Sequence, residues 1–365
     1  MKISIIDPVG GHGGMDYYDY GLSYGLAYNF SSVKYYTGSK TKYRHYQNVQ
    51  TIDVFKNVWD KKRPNKFFFF LVGYLKAFKI AKRSKSEVLH FQFFSLGSLN
   101  LIILGLAFFF KQKKVVTLHD IESFHKSSFK LISKMCLKLI DGIIVHNKFS
   151  KSELEKNFNF NRPISIIPHG NYLPFVEPQP LAINSPIINI LFFGQIKEVK
   201  GVDLLLDAMA EVVKTNHKYH LTIAGRPWKT DVKRYENKIK ELGLSKYVTT
   251  HFKYIQDDDV KQFYKNASII VMPYKKIYQS GVLLLTLSYG RTVIVSNLPS
   301  FTEVISNNQN GFIFESGNSL SLANCILNLN SELISNVTLN SKQIISQKYD
   351  WKVIGKATLS FYKKL

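Results

Sequence analysis

Two junctions in the second half of the chain carry the residue types that hold anions. In Phe192-Phe193-Gly194-Gln195-Ile196-Lys197-Glu198-Val199-Lys200-Gly201 a lysine stands where an amphipathic helix begins. A lysine opposes the macrodipole at a helix N-terminus unless an anion shares the site, so Lys200 points to a phosphate rather than to solvent. In Tyr278-Gln279-Ser280-Gly281-Val282-Leu283-Leu284 a Ser-Gly pair opens an apolar helix. There the N–H groups of Gly281 and Val282 would face a second anion, or Ser280 would simply cap a core helix. Two such places in one domain fit a diphosphate.

The first half offers a glycine loop, Gly10-Gly11-His12-Gly13-Gly14, after a short β-branched run. Its spacing is not that of a dinucleotide fingerprint. Gly13 and Gly14 either let backbone approach a ligand or make a tight turn. His119 follows the strand-like Val115-Val116-Thr117-Leu118 and precedes Asp120, at the strand end where open α/β sheets hold ligands. Asp257-Asp258-Asp259 has metal-ligand chemistry, but it precedes a helix, and complementing the helix dipole accounts for it more simply.

The elements that must position these residues alternate. Buried-strand candidates are Lys2–Asp7, Val88–Phe91, Lys114–Leu118, Gly142–His146 and Ile164–Ile167. Helical stretches accompany them at Tyr17–Tyr28, Leu96–Phe110 and Phe129–Ile140. The pattern pauses at Pro168-His169-Gly170 and a proline-rich stretch through Pro186. It then restarts with strands at Ile188–Phe193, His220–Ala224, Val248–Phe252, Ile269–Met272 and Thr292–Val295, and helices at Gly201–Lys214, Asp231–Leu242 and Asp258–Lys265. Such alternation predicts two α/β domains with parallel sheets and a cleft between them.

Composition narrows the partners. The 365 residues are 45% hydrophobic, which excludes disordered and collagen-like classes. Cys136 and Cys325 cannot build a disulfide scaffold or a four-cysteine zinc site. No apolar run approaches the ~20 residues of a membrane span, and the first residues do not read as a signal peptide. The net charge of +23 attracts polyanions. Lys61–Lys85 interleaves Phe67–Phe70, Tyr74 and Phe78 with Lys61, Lys62, Arg63, Lys66, Lys76, Lys79, Lys82, Arg83 and Lys85. That is the composition of a helix lying on an anionic membrane, although part of it must also pack on the sheet. No pattern of a nucleic-acid-binding module is present, so nucleic acid is not the expected polyanion.

In order and spacing these residues resemble the GT-B glycosyltransferases of the large retaining family 4, group 1. The resemblance rests on Gly13-Gly14, Thr117-Leu118-His119-Asp120, Ile166-Ile167-Pro168-His169-Gly170, Gly194 through Lys200-Gly201, Ile223-Ala224-Gly225, Ser280-Gly281-Val282 with Gly290, Glu303 and Asn310-Gly311-Phe312. It implies two Rossmann-like domains, at 1–172 and 187–345, joined by a linker at 173–186. A C-terminal helix within 346–365 would return to the first domain. It also implies that Lys200 pairs with a donor diphosphate and that the amides of Gly281 and Val282 hold its distal phosphate. Gly13 and Gly14 would admit the donor sugar and acceptor, and His119 would hydrogen-bond the sugar near the reacting carbon. Two features depart from the family pattern: Gln195 stands where an arginine is frequent, and Ile277 and Leu285 stand where two acidic residues are.

The expected activity is transfer of a hexose, with retention, from a nucleotide diphosphate sugar to a lipid-linked or polysaccharide acceptor. Neither metal nor cofactor is expected, and the protein is expected to be cytoplasmic and peripheral on the inner face of the cell membrane. An epimerase or hydrolase on the same fold, and a catalytically silent partner of another transferase, are the alternatives.

Overall fold

The computed structural model describes residues 1–10, 13–42, 45–56, 58, 65–120, 130–158, 160–180 and 187–365. Gly11, His12, Lys61, Lys62, Arg63, Phe129 and Pro186 lie outside them. The chain forms two compact units, Met1–Gly170 with Tyr349–Leu365, and Asn171–Lys348.

The first unit contains β1 (Lys2–Ile6), α1 (Gly13–Tyr28), β2 (Ser32–Thr37), β3 (His45–Tyr46), β4 (Val49–Asp53), α2 (Lys66–Arg83) and β5 (Val88–Phe93). It continues with α3 (Ser98–Phe108), β6 (Lys113–Leu118), α4 (Lys130–Lys138), β7 (Gly142–Val145), α5 (Lys148–Asn157) and β8 (Ile164–Ile166). The sheet order is β3-β4-β2-β1-β5-β6-β7-β8. Its pairings are parallel except that of the short β3 with β4. Strand β5 is buried along its whole length, His90 and Gln92 being buried polar residues among its apolar ones. Strands β2 and β4, on one side of β1, carry lysine, glutamine and threonine among their apolar residues. The sequence pattern gave no expectation of a strand at either.

The chain's last helix, α13 (Trp351–Tyr362), packs against α1. Glycines make the approach possible: a Cβ on Gly25 would overlap the Trp351 carbonyl, and one on Gly355 would overlap the backbone of Gly25. Asn29 fastens the crossing by donating from Nδ2 to the carbonyls of Gly25 (2.7 Å) and Lys352 (2.9 Å).

The second unit runs β9 (Ile188–Phe193), α6 (Val202–Thr215), β10 (Tyr219–Ala224), α7 (Lys233–Glu241), β11 (Val248–His251), α8 (Asp257–Asn266) and β12 (Ile269–Met272). It then runs α9 (Gly281–Ser288), β13 (Thr292–Ser296), α10 (Pro299–Thr302), β14 (Phe312–Phe314), α11 (Ser319–Leu327) and α12 (Ser331–Lys348). Its order is β11-β10-β9-β12-β13-β14, and every pairing is parallel. Asp257, Asp258 and Asp259 form the first turn of α8, where the helix dipole favours them. The residues around 179–180 are held by the fully buried Arg291, which donates to the carbonyls of Gln179, Pro180 and Tyr264 at 2.7–2.9 Å.

In each unit the first strand lies inside the sheet, with the next strand of the chain on one side and a later one on the other. The connections therefore diverge between β1 and β5 and between β9 and β12. Loops at the carboxyl ends of such strands enclose a crevice.

Candidate functional site

In the second unit the loops after β9 and β12 meet. Lys200 ends a 3-10 turn, Glu198–Lys200, that leads through Gly201 into α6. Gly201 has φ 70°, and a Cβ there would overlap the Pro273 carbonyl, so only glycine lets the two loops touch. The half-buried Lys200 places its Nζ 3.6 Å from the centre of the Tyr274 ring. Burial, and then the charge of Lys197, push its pKa down to about 7; no carboxylate opposes them. Burial pushes the Tyr274 hydroxyl pKa up, with the nearby Ser280 side chain acting against it.

Ser280 is the N-cap of α9, its Oγ accepting from the Leu283 N–H at 3.3 Å. The cap leaves the Gly281 and Val282 amides at the helix start. Val282 is also close to Gly194: a Cβ there would lie 3.3 Å from Val282 Cγ2. Lys200, Ser280, Gly281 and Val282 thus share the crevice beside Gly194 and Tyr274. Gln195 is exposed on its rim. A desolvated cation and a helix N-terminus in one crevice are chemically a diphosphate cradle. Asn310, by contrast, locks a turn, accepting from the Ser306 N–H (2.7 Å) and donating to the Val304 carbonyl (2.8 Å).

In the first unit Gly13 and Gly14 are the first residues of α1. Gly10 answers a packing demand, since a Cβ on it would overlap Thr37 Oγ1. His119 follows β6 and is half-buried, with Phe94, 51% exposed, at 5.3 Å between ring centres. Its ring is engaged inside the unit: Nε2 is 2.9 Å from Gln92 Oε1, and Nδ1 is 3.3 Å from His146 Nε2. His146 Nδ1 donates to the Ile167 carbonyl at 2.9 Å, so in the neutral ring its Nε2 is an acceptor and His119 Nδ1–H is the donor; His119 Nε2 is then itself an acceptor, which the Gln92 side chain satisfies by turning its otherwise unpartnered amide NH2 toward it. Tyr18 packs edge-on against His119, His146, His169 and Trp351 at 4.7–5.4 Å. His90 hydrogen-bonds Thr117 Oγ1 through Nε2 (2.7 Å) and the Tyr362 hydroxyl of α13 through Nδ1 (2.6 Å).

Burial keeps these rings neutral. It pushes His90 and His146 down to about 3 and His169 to about 4, and it lowers His119 well below the ordinary range, with His146 the next cause. Below the glycine loop Asp7 and Asp19 are buried together. Burial raises Asp7 to about 6, and burial with the Asp7 charge raises Asp19 further, so the pair shares a proton. Among the described residues no group of three or more His, Cys, Asp or Glu is placed to hold a metal ion.

Residues 13–171 match the sequence model of Glycosyltransferase Family 4, and residues 188–332 match that of Glycosyl transferases group 1. The chain belongs to these family 4, group 1 glycosyltransferases. Among curated relatives, an uncharacterized glycosyltransferase of Methanocaldococcus jannaschii is 28% identical over 48% of this chain and 44% of its own length. The GDP-mannose:glycolipid 4-beta-D-mannosyltransferase of Xanthomonas campestris is 26% identical over 40% of each. The matches span 40–60% of the first relatives' own lengths. Among solved structures, a sucrose-phosphate synthase from Thermosynechococcus elongatus aligns over 100% of this chain and 98% of its own, with a TM-score of 0.77 at 19% identity. Anabaena HepE in complex with UDP and glucose aligns over 100% of both chains, with a TM-score of 0.77 at 16% identity. The fold of this glycosyltransferase is therefore GT-B.

Sequence reasoning on this glycosyltransferase missed Tyr274, Gln92, His146 and Tyr18. Tyr274 directly follows a buried strand and Pro273, a signal of a kind that could have flagged it. The other three have no local signal.

Proposed function

We propose that the protein transfers a hexose from a nucleotide diphosphate sugar to a lipid-linked or polysaccharide acceptor, with retention of configuration and without a metal ion. The observation that carries the reading is Lys200, a half-buried cation with no opposing carboxylate, in one crevice with the N-terminus of α9. As the glycosidic bond breaks, negative charge grows on the departing diphosphate. Lys200 Nζ and the Gly281 and Val282 amides would stabilise that charge. The family match supports glycosyl transfer, and the relative named for GDP-mannose and a glycolipid supports the hexose and the acceptor class. His119 would act on the sugar from the first unit. For its Nε2 to meet a sugar hydroxyl, Gln92 must give way.

The acceptor's setting is read from the first unit's surface. On α2, Phe70, Tyr74 and Phe78 are core, while Phe67 and Phe68 are exposed. Leu99 and Ile102 of α3 and Leu131 and Met135 of α4 are exposed as well, the last two beside exposed Lys130, Lys134 and Lys138. Apolar side chains flanked by lysines favour adsorption to an anionic membrane. Among the described residues no helix is long and apolar enough to cross one.

The test is incubation with a panel of labelled nucleotide sugars and a lipid-linked acceptor, with and without chelator. Glycosylated acceptor of unchanged anomeric configuration, insensitive to chelator, is the expected result. Free sugar or an epimer would replace the reading by a hydrolase or epimerase, and absence of turnover by a silent partner. Cosedimentation with phosphatidylglycerol vesicles, released by salt, checks the membrane part.

A further inference from the structure

The opposite end of the first sheet carries a second concentration of positive charge. The amino ends of β1 and β2 and the turn between α2 and β5 enclose a cavity of about 360 Å³, lined by Lys2, Ser32, Lys34, Arg83, Lys85 and Ser86, with Ser84 beside them. That volume falls within the ~300–1,000 Å³ of small-molecule sites. Strands of this length separate it from the His119 end by roughly 17 Å.

Three observations mark the cavity as built for an anion. Lys2, Lys34, Arg83 and Lys85 have no ion pair among the described residues, and the nearby Glu87 carboxylate accepts from the backbone N–H of Lys2 at 2.8 Å. Complementing the C-terminus of α2 accounts for Arg83 and Lys85 but not for the two strand lysines.

The inner wall is hydroxylic where a sheet-to-helix contact is ordinarily apolar. Ser4 and Ser86 are buried with their oxygens 2.7 Å apart, and Ser84 Oγ is 3.4 Å from Ser86 Oγ.

The turn is also strained in the cation's favour. Helix α2 ends with the Ser86 N–H donating to the Ala81 carbonyl (2.9 Å) and the Lys85 N–H to that of Lys82 (3.0 Å). In that motif the left-handed residue is ordinarily glycine. Here it is Lys85, at φ 57°, so a lysine is kept where glycine would cost less.

We propose that this cavity binds a phosphomonoester, its oxygens taken by Lys2, Lys34, Arg83 and Lys85 and by the hydroxyl of Ser86, that of Ser84 being donated to the Ala81 carbonyl at 3.1 Å. Four cations and a hydroxyl exceed what a carboxylate's two oxygens can use; a dianionic phosphate with three terminal oxygens uses them. The same chemistry reaches the site either as a soluble sugar or glycerol phosphate or as a lipid headgroup, and the exposed Lys76, Lys79 and Lys82 on α2 lead to it.

Binding is measured by calorimetry with glycerol 3-phosphate, and by cosedimentation with phosphatidylcholine vesicles containing either phosphatidic acid or phosphatidylglycerol. The proteins compared are wild type, Lys200→Ala, Lys85→Gly and Lys85→Gly/Arg83→Gln. Lys200→Ala should bind glycerol 3-phosphate as wild type does, which separates this site from the donor crevice. Lys85→Gly should melt no lower than wild type, because glycine is at ease at that φ, yet bind at least ~10-fold more weakly, and the double variant more weakly still. Tighter retention on phosphatidic acid than on phosphatidylglycerol, lost in the double variant, assigns the lipid source. Binding of glycerol 3-phosphate with no such preference assigns the soluble one. Binding unchanged in the double variant, or abolished by Lys200→Ala alone, would overturn the proposal, as would failure of both glycerol 3-phosphate and phosphatidic acid vesicles to bind wild type.

Discussion

The crevices of the two units have the same topology and opposite electrostatics. At the end of the second sheet a cation is held partly out of water with no carboxylate to oppose it, and a helix start lies beside it. At the end of the first sheet buried histidines are kept neutral by pKa values driven down, and a carboxyl pair with values driven up shares one proton. The difference separates two tasks. A site that receives a diphosphate stores unbalanced positive charge and is completed by its ligand. A site that orients a sugar needs fixed hydrogen-bond directions, and neutral rings in one tautomer supply them without attracting the phosphates.

The largest expected effect falls on the first unit alone. His90, His146 and His169 titrate near 6.5 when unfolded but at about 3–4 when folded, so the unfolded state binds more protons in between. Their contribution to stability is complete above pH 6.5 and declines as pH falls toward 4, by up to ~1.4 kcal/mol per pH unit for each ring. Trp351, packed against His169 and Tyr18, reports it. Its fluorescence should shift on acidification to about pH 5 while limited proteolysis leaves the second unit intact. Simultaneous loss of both units would break the contrast.

Next is Lys200→Ala. Loss of a charge-assisted phosphate contact is worth about 1.5–3 kcal/mol, or roughly 10- to 150-fold in donor affinity. The melting temperature should hold, because an unopposed, partly desolvated charge is removed. Wild-type donor affinity should fall as pH rises above 7, since the empty site's lysine must take up a proton to bind. Equal losses of stability and affinity would make Lys200 a structural residue.

A smaller effect is expected at His119 and its neighbour. His119→Ala should lower turnover by roughly tenfold or more with little change in nucleotide affinity, because the diphosphate contacts proposed above lie in the second unit. Gln92→Glu, by placing a carboxylate 2.9 Å from His119 Nε2, should raise the histidine's pKa and move the acid limb of the kcat profile upward. An unchanged profile would remove Gln92 from the site.

The smallest effect is at the acid pair. Because Asp7 and Asp19 are raised, what they contribute is present below about pH 4 and is lost as pH rises through 6. Asp19→Asn, which still accepts from the Tyr35 hydroxyl, should stabilise the protein by about 1 kcal/mol at pH 8 and by less at pH 5 in urea unfolding. Destabilisation at pH 8 would show that the charge itself is needed.

The crevice proposed for the donor was more legible in the sequence than the one proposed for the sugar. Lys200, Gly201 and Ser280-Gly281-Val282 each sit at a strand-to-helix junction, and the chemistry of a helix start is local. His119 was visible by its place after a strand. Its partners were not, because Gln92, His146, His169 and Tyr18 come from different elements and no spacing links them. The basic stretch around α2 was legible as charge, but only the fold sorted Phe70, Tyr74 and Phe78 into the core and left Phe67 and Phe68 outside.

By itself the sequence determined most of the buried strands, though not β2, β4 or β14, the alternation that makes both sheets largely parallel and the glycine-marked turns at their carboxyl ends. Each follows from apolar runs and backbone preferences within a few residues. Only the tertiary structure decided the rest. It set the strand orders that put the β9 and β12 loops side by side, docked α13 on α1 through Gly25 and Gly355, gathered the histidines and buried Asp7 against Asp19. Those outcomes depend on which surfaces exclude water together, and hence on contacts between residues up to hundreds of positions apart. Desolvation then gave a lysine, the histidines and an aspartate pair charge states that none has in an isolated peptide.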